Sequence, residues 1–276
     1  MTQLSRPVGS EDMTGVRKIY DEIMADNVDV HDLVYPHVFG ADQYIGQFSD
    51  NSAGELVLMG RAMDLPPGSR VLDVGCGRGL VAAHMARALG WRMTGIDLST
   101  VPIGRARSAA FDGLAFIPEF VHGDIYAHSF AERFDGIYGT GAFCHFDAGA
   151  LFARCAQLLR PGGKLAFMER VRTGPIDDEQ WHSLTTAWCC PYVYTADEYC
   201  ELLERKGFAI AHLLDLSDDF RVWQRKSVTV REELEAQIVA LTSPEYHAAA
   251  VGFARYENDV TEAGLLGYAC VVAELR

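Results

Sequence analysis

Glycines at positions 75, 77 and 79, packed into VLDVGCGRG, sit between an apolar strand-like run and the helix-like LVAAHMARAL. That placement constrains the fold more than any other feature of the chain. A strand that ends in closely spaced glycines and re-enters as a helix turns sharply and lets a ligand approach the backbone with no Cβ in the way. The spacing is G-x-G-x-G with Asp73 two residues ahead of the first glycine, and not the G-x-G-x-x-G dinucleotide fingerprint. A ligand without a pyrophosphate fits such a loop better.

The rest of the chain repeats the alternation this loop begins. Apolar segments RVLDVG (70–75), RMTGID (92–97), FDGIYGTG (134–141) and KLAFME (164–169) each end at a polar or glycine-rich turn, with amphipathic stretches between them. This is the signature of βαβ units in a parallel sheet, so the expected fold is α/β, doubly wound and mostly parallel. A weaker strand is expected over 115–121. In GALFARCAQLLRPGG, Leu151, Phe152, Cys155, Leu158 and Leu159 recur at helical spacing and Pro161 stops the helix.

Beyond the fifth strand the pattern changes. The aromatic tract QWHSLTTAWCCPYVYTADEY leads into a helix opened by a Thr195–Glu198 capping box and ended near Gly207, after which GFAIAHLLDL reads as a strand. A second box, Thr229–Glu232, is expected to open another helix, Ser243-Pro244 one more, and LLGYACVVAEL a final strand. The expected organisation is a helical N-terminal cap over 1–67, a cofactor-binding core over 68–215, a helical lid on the acceptor site over 216–264, and a strand over 265–276 that returns to the sheet.

With 276 residues and 49% hydrophobic content, the chain has enough material for a sizeable core. A formal net charge of -14 repels nucleic acid phosphates and anionic membrane surfaces, so a small-molecule partner is expected. No run approaches a membrane span, and the opening MTQLSRPVGSEDM lacks a basic-then-apolar signal pattern, from which a soluble, cytoplasmic protein is expected. Seven scattered cysteines with no C-x-x-C pair argue against a disulfide framework or a structural zinc site.

Asp97 lies at the end of the second expected strand, about the distance downstream at which a carboxylate accepts from ribose hydroxyls, and Asp124 lies at a further strand-end turn. Together with Asp73 they form an ordered series. On these residues the sequence resembles the class I methyltransferases that use S-adenosylmethionine, through VLDVGCGRG, GIDLS, GDI and LLRPGG over about residues 68–170. The resemblance implies Gly75, Gly77 and Gly79 against the amino acid part of the cofactor and Asp73 toward its ammonium. It also implies Asp97 on the ribose, Asp124 with the Ile125 backbone on the adenine, and Leu98 and Gly141 among the cofactor-binding residues. A weaker similarity, through FGADQYIGQFSD, GTGAFCHF and the C-terminal segment, is to glycine, sarcosine and dimethylglycine N-methyltransferases and to bacterial natural-product enzymes, and implies Tyr44 and Gln47 closing over the cofactor.

Methyl transfer from a sulfonium needs a nucleophile held in line and water excluded, and no metal for that step. Glu169, where an apolar run stops at a carboxylate, is the first candidate base; the alternative is an ion pair with Arg170 or Arg172, or a cap for a turn. His145 is the second candidate. Phe143, Trp181, Trp188, Tyr192, Tyr194 and Trp223 are candidates for the acceptor site, as a cage for a cation, an apolar pocket, or core packing. Carbon methylation of an apolar alkene such as a prenyl diphosphate is the favoured reaction, with Mg²⁺ only if the acceptor carries a diphosphate. Methylation of a small amine or amino acid, and cofactor binding without methyl transfer in a cyclase or binding module, stay open.

Overall fold

The computed structural model describes residues 13–22 and 28–276; the polar opening stretch, up to residue 12, lies outside them. The chain opens with α1 (Met13–Glu22), α2 (Val28–Phe39) and α3 (Ala53–Ala62). The alternating core follows as β1 (Arg70–Val74), α4 (Leu80–Leu89), β2 (Arg92–Asp97), α5 (Thr100–Ser108), β3 (Glu119–His122), β4 (Phe134–Thr140), α6 (Ala148–Leu158) and β5 (Leu159–Arg172). Next come α7 (Asp178–Trp188), α8 (Ala196–Arg205), β6 (Phe208–Asp215), α9 (Ser217–Glu233), α10 (Glu235–Leu241), α11 (Pro244–Glu262) and β7 (Leu266–Leu275).

The seven strands form one sheet in the order β3-β2-β1-β4-β5-β7-β6. Every pairing among β1 to β5 is parallel, and β7 runs antiparallel between β5 and β6. The expected doubly wound, mostly parallel sheet is therefore the one that forms. Period-two alternation sends neighbouring residues of each strand to opposite layers. Leu72, Val74, Ile137, Leu165 and Phe167 pack with Leu151, Phe152, Tyr199 and Leu203 of α6 and α8. Val71, Met93, Tyr138, Ala166 and Met168 pack on the other face with Leu56, Met59, Ala82 and Met85 of α3 and α4, and with Phe220 and Val260 of α9 and α11. The strand order reverses between β1 and β4, which opens a crevice at their carboxyl ends.

Local sequence signals set several helix ends. Thr195 caps α8 with its hydroxyl on the Glu198 N–H at 3.1 Å, and Glu198 reaches back to the Thr195 N–H at 2.7 Å. Ser243 caps α11, with Pro244 in its first turn. Thr229–Glu232 opens nothing: both residues lie inside α9, and the Thr229 hydroxyl donates to the Arg225 carbonyl at 3.3 Å. The helix begun at Ser217 already binds that backbone, and an N-cap needs an extended one. Similarly, α6 ends at Leu158 and Leu159 already pairs with Phe134 in the sheet, because the residue before Pro161 is driven out of the helical region. The weak strand expected over 115–121 is shorter and later, at Glu119–His122. The helices between β6 and β7 pack on α2 and β7.

Candidate active site

At the end of β1 the backbone passes through the left-handed region at Gly75, Gly77 and Gly79, with φ of 75°, 50° and 74°. Two of these glycines are also forced by space: a Cβ would come 2.6 Å from Ala142 Cβ at Gly75 and 2.4 Å from Phe120 Cζ at Gly79. At Gly77 a Cβ would meet nothing within 4 Å, so the loop there borders open space. That space is a cavity of about 1050 Å³, part of it open to solvent, at the carboxyl ends of β1, β2 and β4. Of the residues expected at the site, Gln47, Asp73, Gly75, Gly77, Asp97, Leu98, Asp124, Ile125, Gly141 and His145 line it.

The three aspartates differ in how far they are satisfied. Asp97 accepts from Gly77 N–H at 2.9 Å through Oδ2 and from Ser99 N–H at 2.8 Å through Oδ1, so both oxygens are fixed in direction with lone pairs to spare. Asp124 accepts from Tyr126 N–H at 2.8 Å. Burial pushes Asp73 up to about 7, against the pull of the nearby Tyr138 hydroxyl, and neither Asp73 Oδ2 nor Tyr138 Oη has a partner within bonding distance. An orphaned carboxylate oxygen on a cavity wall suits a cationic ligand group. The glycine cradle, the carboxylate at ribose range and the orphaned Asp73 together fit the amino acid and nucleoside parts of S-adenosylmethionine.

The two expected cover residues differ: Gln47 lines the cavity and Tyr44 does not. The Tyr44 hydroxyl bonds Asp32 and lies 3.0 Å from His31 Nδ1 and 3.2 Å from Arg78 Nη2, outside the cavity lining. Arg78, in the glycine loop, holds Asp32 of α2 through both terminal nitrogens at 2.8 and 2.7 Å. The Gln47 amide is spent on the Ile45 N–H and the Gln43 and Asn51 carbonyls, which shapes the 43–51 segment.

Also on the cavity wall, a 3-10 turn (Phe143–His145) presents His145. Its Nδ1 lies 2.8 Å from the Cys189 carbonyl, which only accepts, so Nδ1 carries the proton. The lone pair on Nε2 then accepts from the Tyr20 hydroxyl of α1 at 3.0 Å. Burial acts to lower the His145 pKa, but Cys190, the Cys189 carbonyl and Glu169 outweigh it and the net shift is upward. Tyr20, which no motif marks in the sequence, also lines the cavity, as does Ser49, whose buried hydroxyl has no partner.

Glu169 stands one residue beyond the β4–β5 pairing, 1% exposed and away from the cavity lining. Its Oε1 accepts from Ala142 N–H at 2.8 Å and Phe143 N–H at 2.6 Å, and burial pushes its pKa up to about 7. Of the alternatives left open for it, the ion pairs do not form. Arg170 points to the opposite face and pairs with Asp50 at 2.5 Å and Glu257 at 3.3 Å, while Arg172 pairs with Glu198 at 2.8 Å. What Glu169 does is brace the turn after β4 that ends in His145.

The aromatic residues are not assembled into one pocket. Phe143 is sealed in the core against Phe167, and Trp188 lies under Arg170 and donates to Glu257 at 3.0 Å. Trp181 lies under Arg172, Tyr192 and Tyr194 stack with Tyr194 against Tyr199, and Trp223 packs on Phe39 beside α2. None of the six is among the cavity-lining residues.

A family model described as a methyltransferase domain matches residues 54–213. Methyltransferase GfsG of Streptomyces halstedii is 32% identical over 168 residues, 58% of this chain and 59% of that protein, so the match spans well short of that relative's full length. O-methyltransferase cnsE of Penicillium expansum is 26% identical over 277 residues, covering 95% of this chain and 92% of its own. Among solved structures, the [4+2]-cyclase SpnF superposes with a TM-score of 0.70 and 25% identity over 94% of both chains.

Proposed function

We propose a function that proceeds from family membership: this chain belongs to the methyltransferase-domain family, of the class I kind that uses S-adenosylmethionine, and it methylates a hydroxyl of a small specialised metabolite. The observation that carries the acceptor assignment is the Tyr20–His145 pair on the cavity wall, with the imidazole proton held on Nδ1 and the Nε2 lone pair accepting from the Tyr20 hydroxyl. When bound, the cofactor supplies an activated methyl electrophile. Asp97 would hold its ribose, Asp124 and Ile125 its adenine, and Asp73 with the glycine loop its amino acid end. Tyr20 and His145 take the proton that the acceptor oxygen loses as it gains the methyl group, the Tyr20 hydroxyl passing its own proton to Nε2. Glu169 holds the turn that presents His145 through the Ala142 and Phe143 N–H groups.

An oxygen acceptor is favoured over carbon methylation of a prenyl diphosphate. Glu169, the base that reaction would call on, is committed to two backbone donors and sits behind the wall, and the rings that would shelter a carbocation are dispersed. The near full-length similarity to an O-methyltransferase supports the same choice. The test is mass spectrometry of the protein with S-adenosylmethionine and a panel of phenols, alcohols, amines and prenyl diphosphates, with and without Mg²⁺. A phenol or alcohol gaining one methylene is expected; methylation confined to prenyl diphosphates, or to amines, would overturn the assignment.

The similarity to a cyclase at 25% identity favours one second reading, in which the cofactor is bound but its methyl stays in place. Cofactor recovered intact after substrate turnover would select it.

A further inference from the structure

Behind the His145 wall, two thiols meet. Cys144 Sγ and Cys190 Sγ are 3.0 Å apart, and the residues are 2% and 3% exposed. Their backbones are fastened side by side: Tyr192 N–H donates to the Cys144 carbonyl at 3.1 Å, and Cys190 N–H returns to the Thr185 carbonyl at 3.0 Å, which pins Cys190 to the end of α7. Cys190 Sγ lies 3.8 Å from His145 Nδ1, so a single side chain separates it from the cavity.

We propose that Cys144 and Cys190 are an oxidisable dithiol, which a hydroperoxide converts into a disulfide tying the His145 turn to the end of α7. The chemistry of the pair does not depend on which acceptor is methylated. A hydrogen bond from Cys144, together with His145 and Arg170, holds the Cys190 thiol well below its ordinary range against the opposing effect of burial, while the same hydrogen bond and burial push Cys144 up. Cys190 is therefore the attacking thiolate and Cys144 the resolving thiol. In the first step an S–O bond forms on Cys190, the peroxide O–O bond breaks, and the leaving oxygen takes up a proton. In the second, Cys144 attacks the Cys190 sulfur, the S–S bond forms, the S–O bond breaks, and hydroxide leaves with the Cys144 proton as water. The two sulfurs are oxidised by two electrons and the peroxide is reduced by two. Metal capture by the same cluster, whose three ligand atoms lie within 4.8 Å of one another, is the weaker alternative, because His145 Nδ1 already serves the Cys189 carbonyl.

The test is the full-length protein treated with hydrogen peroxide at a few equivalents, alkylated, and mapped as unreduced peptides. Residues 144 and 190 are expected in one linked pair, two hydrogens lighter, that dithiothreitol reopens, and amide exchange across the end of α7 is expected to slow. In Cys144→Ser, Cys190 should instead be trapped as a sulfenic acid by dimedone. The wild-type map decides the question even where that variant fails to fold. Oxidation confined to the less buried Cys189 and Cys200, with 144 and 190 still alkylated as thiols, would overturn the proposal, as would separate oxidation of the two without a bond between them.

Discussion

Glu169 and His145 face each other's problem from opposite sides of one turn. Glu169 is pushed up to about 7 from an ordinary 4.5, chiefly by burial, so the folded protein binds its proton more tightly than the unfolded chain does. The stability this contributes is fully present below about 4.5 and is lost as the pH rises through about 7. Glu169→Gln keeps an oxygen for the Ala142 and Phe143 N–H groups but cannot ionise. Its unfolding free energy should therefore gain on wild type between pH 5 and pH 8, by up to the order of 3 kcal/mol, and methyl transfer should survive. A stability gap that ignores pH would contradict the ionisation account; a dead variant that still binds cofactor would return the base role to Glu169. Asp97→Asn should weaken cofactor binding by about 1.5–3 kcal/mol through loss of charge-assisted hydrogen bonds, measured by calorimetry, and unchanged binding would remove Asp97 from the ribose.

At the level of elements, caps and strand ends obey short-range rules that the sequence displays. Thr195→Ala should cost about 1 kcal/mol in chemical denaturation, because the Glu198 N–H loses its acceptor at the head of α8; a change within error would mean the Arg172–Glu198 pair alone holds that end. The same rules explain what was legible. The strand–turn–helix at Gly75–Gly79, the carboxylates at the ends of β1 and β2, and the Ser243-Pro244 start of α11 depend on neighbours a few residues away. Thr229 carried the capping-box letters but not the context, since α9 had begun twelve residues earlier at Ser217. The Tyr20–His145 contact was illegible for a different reason. His145 gains its meaning from Tyr20, 125 residues away, and no local spacing in α1 announces that contact. Glu169 stays ambiguous in the sequence because its apolar approach reads the same for a carboxylate facing a ligand and for one bracing a backbone turn.

Across the whole molecule, the cavity joins the glycine loop, the strand ends and α1, while Arg78 and Tyr44 lash α2 to the glycine loop through Asp32. A ligand filling that cavity stabilises the folded state by mass action, so S-adenosylmethionine at about 100 times its dissociation constant should add roughly 2.7 kcal/mol, seen as a rise in melting temperature that Asp97→Asn diminishes. No helix among the described residues is long and apolar enough to cross a membrane. The most direct test of the central claim is single-turnover methyl transfer by wild type, His145→Ala and Tyr20→Phe on whichever hydroxyl acceptor the mass-spectrometric panel identifies. The account predicts a fall in the chemical rate of about 10²–10⁴ for His145→Ala, a smaller one for Tyr20→Phe, and cofactor affinity held within a few fold in both. Wild-type rates in both variants would contradict it.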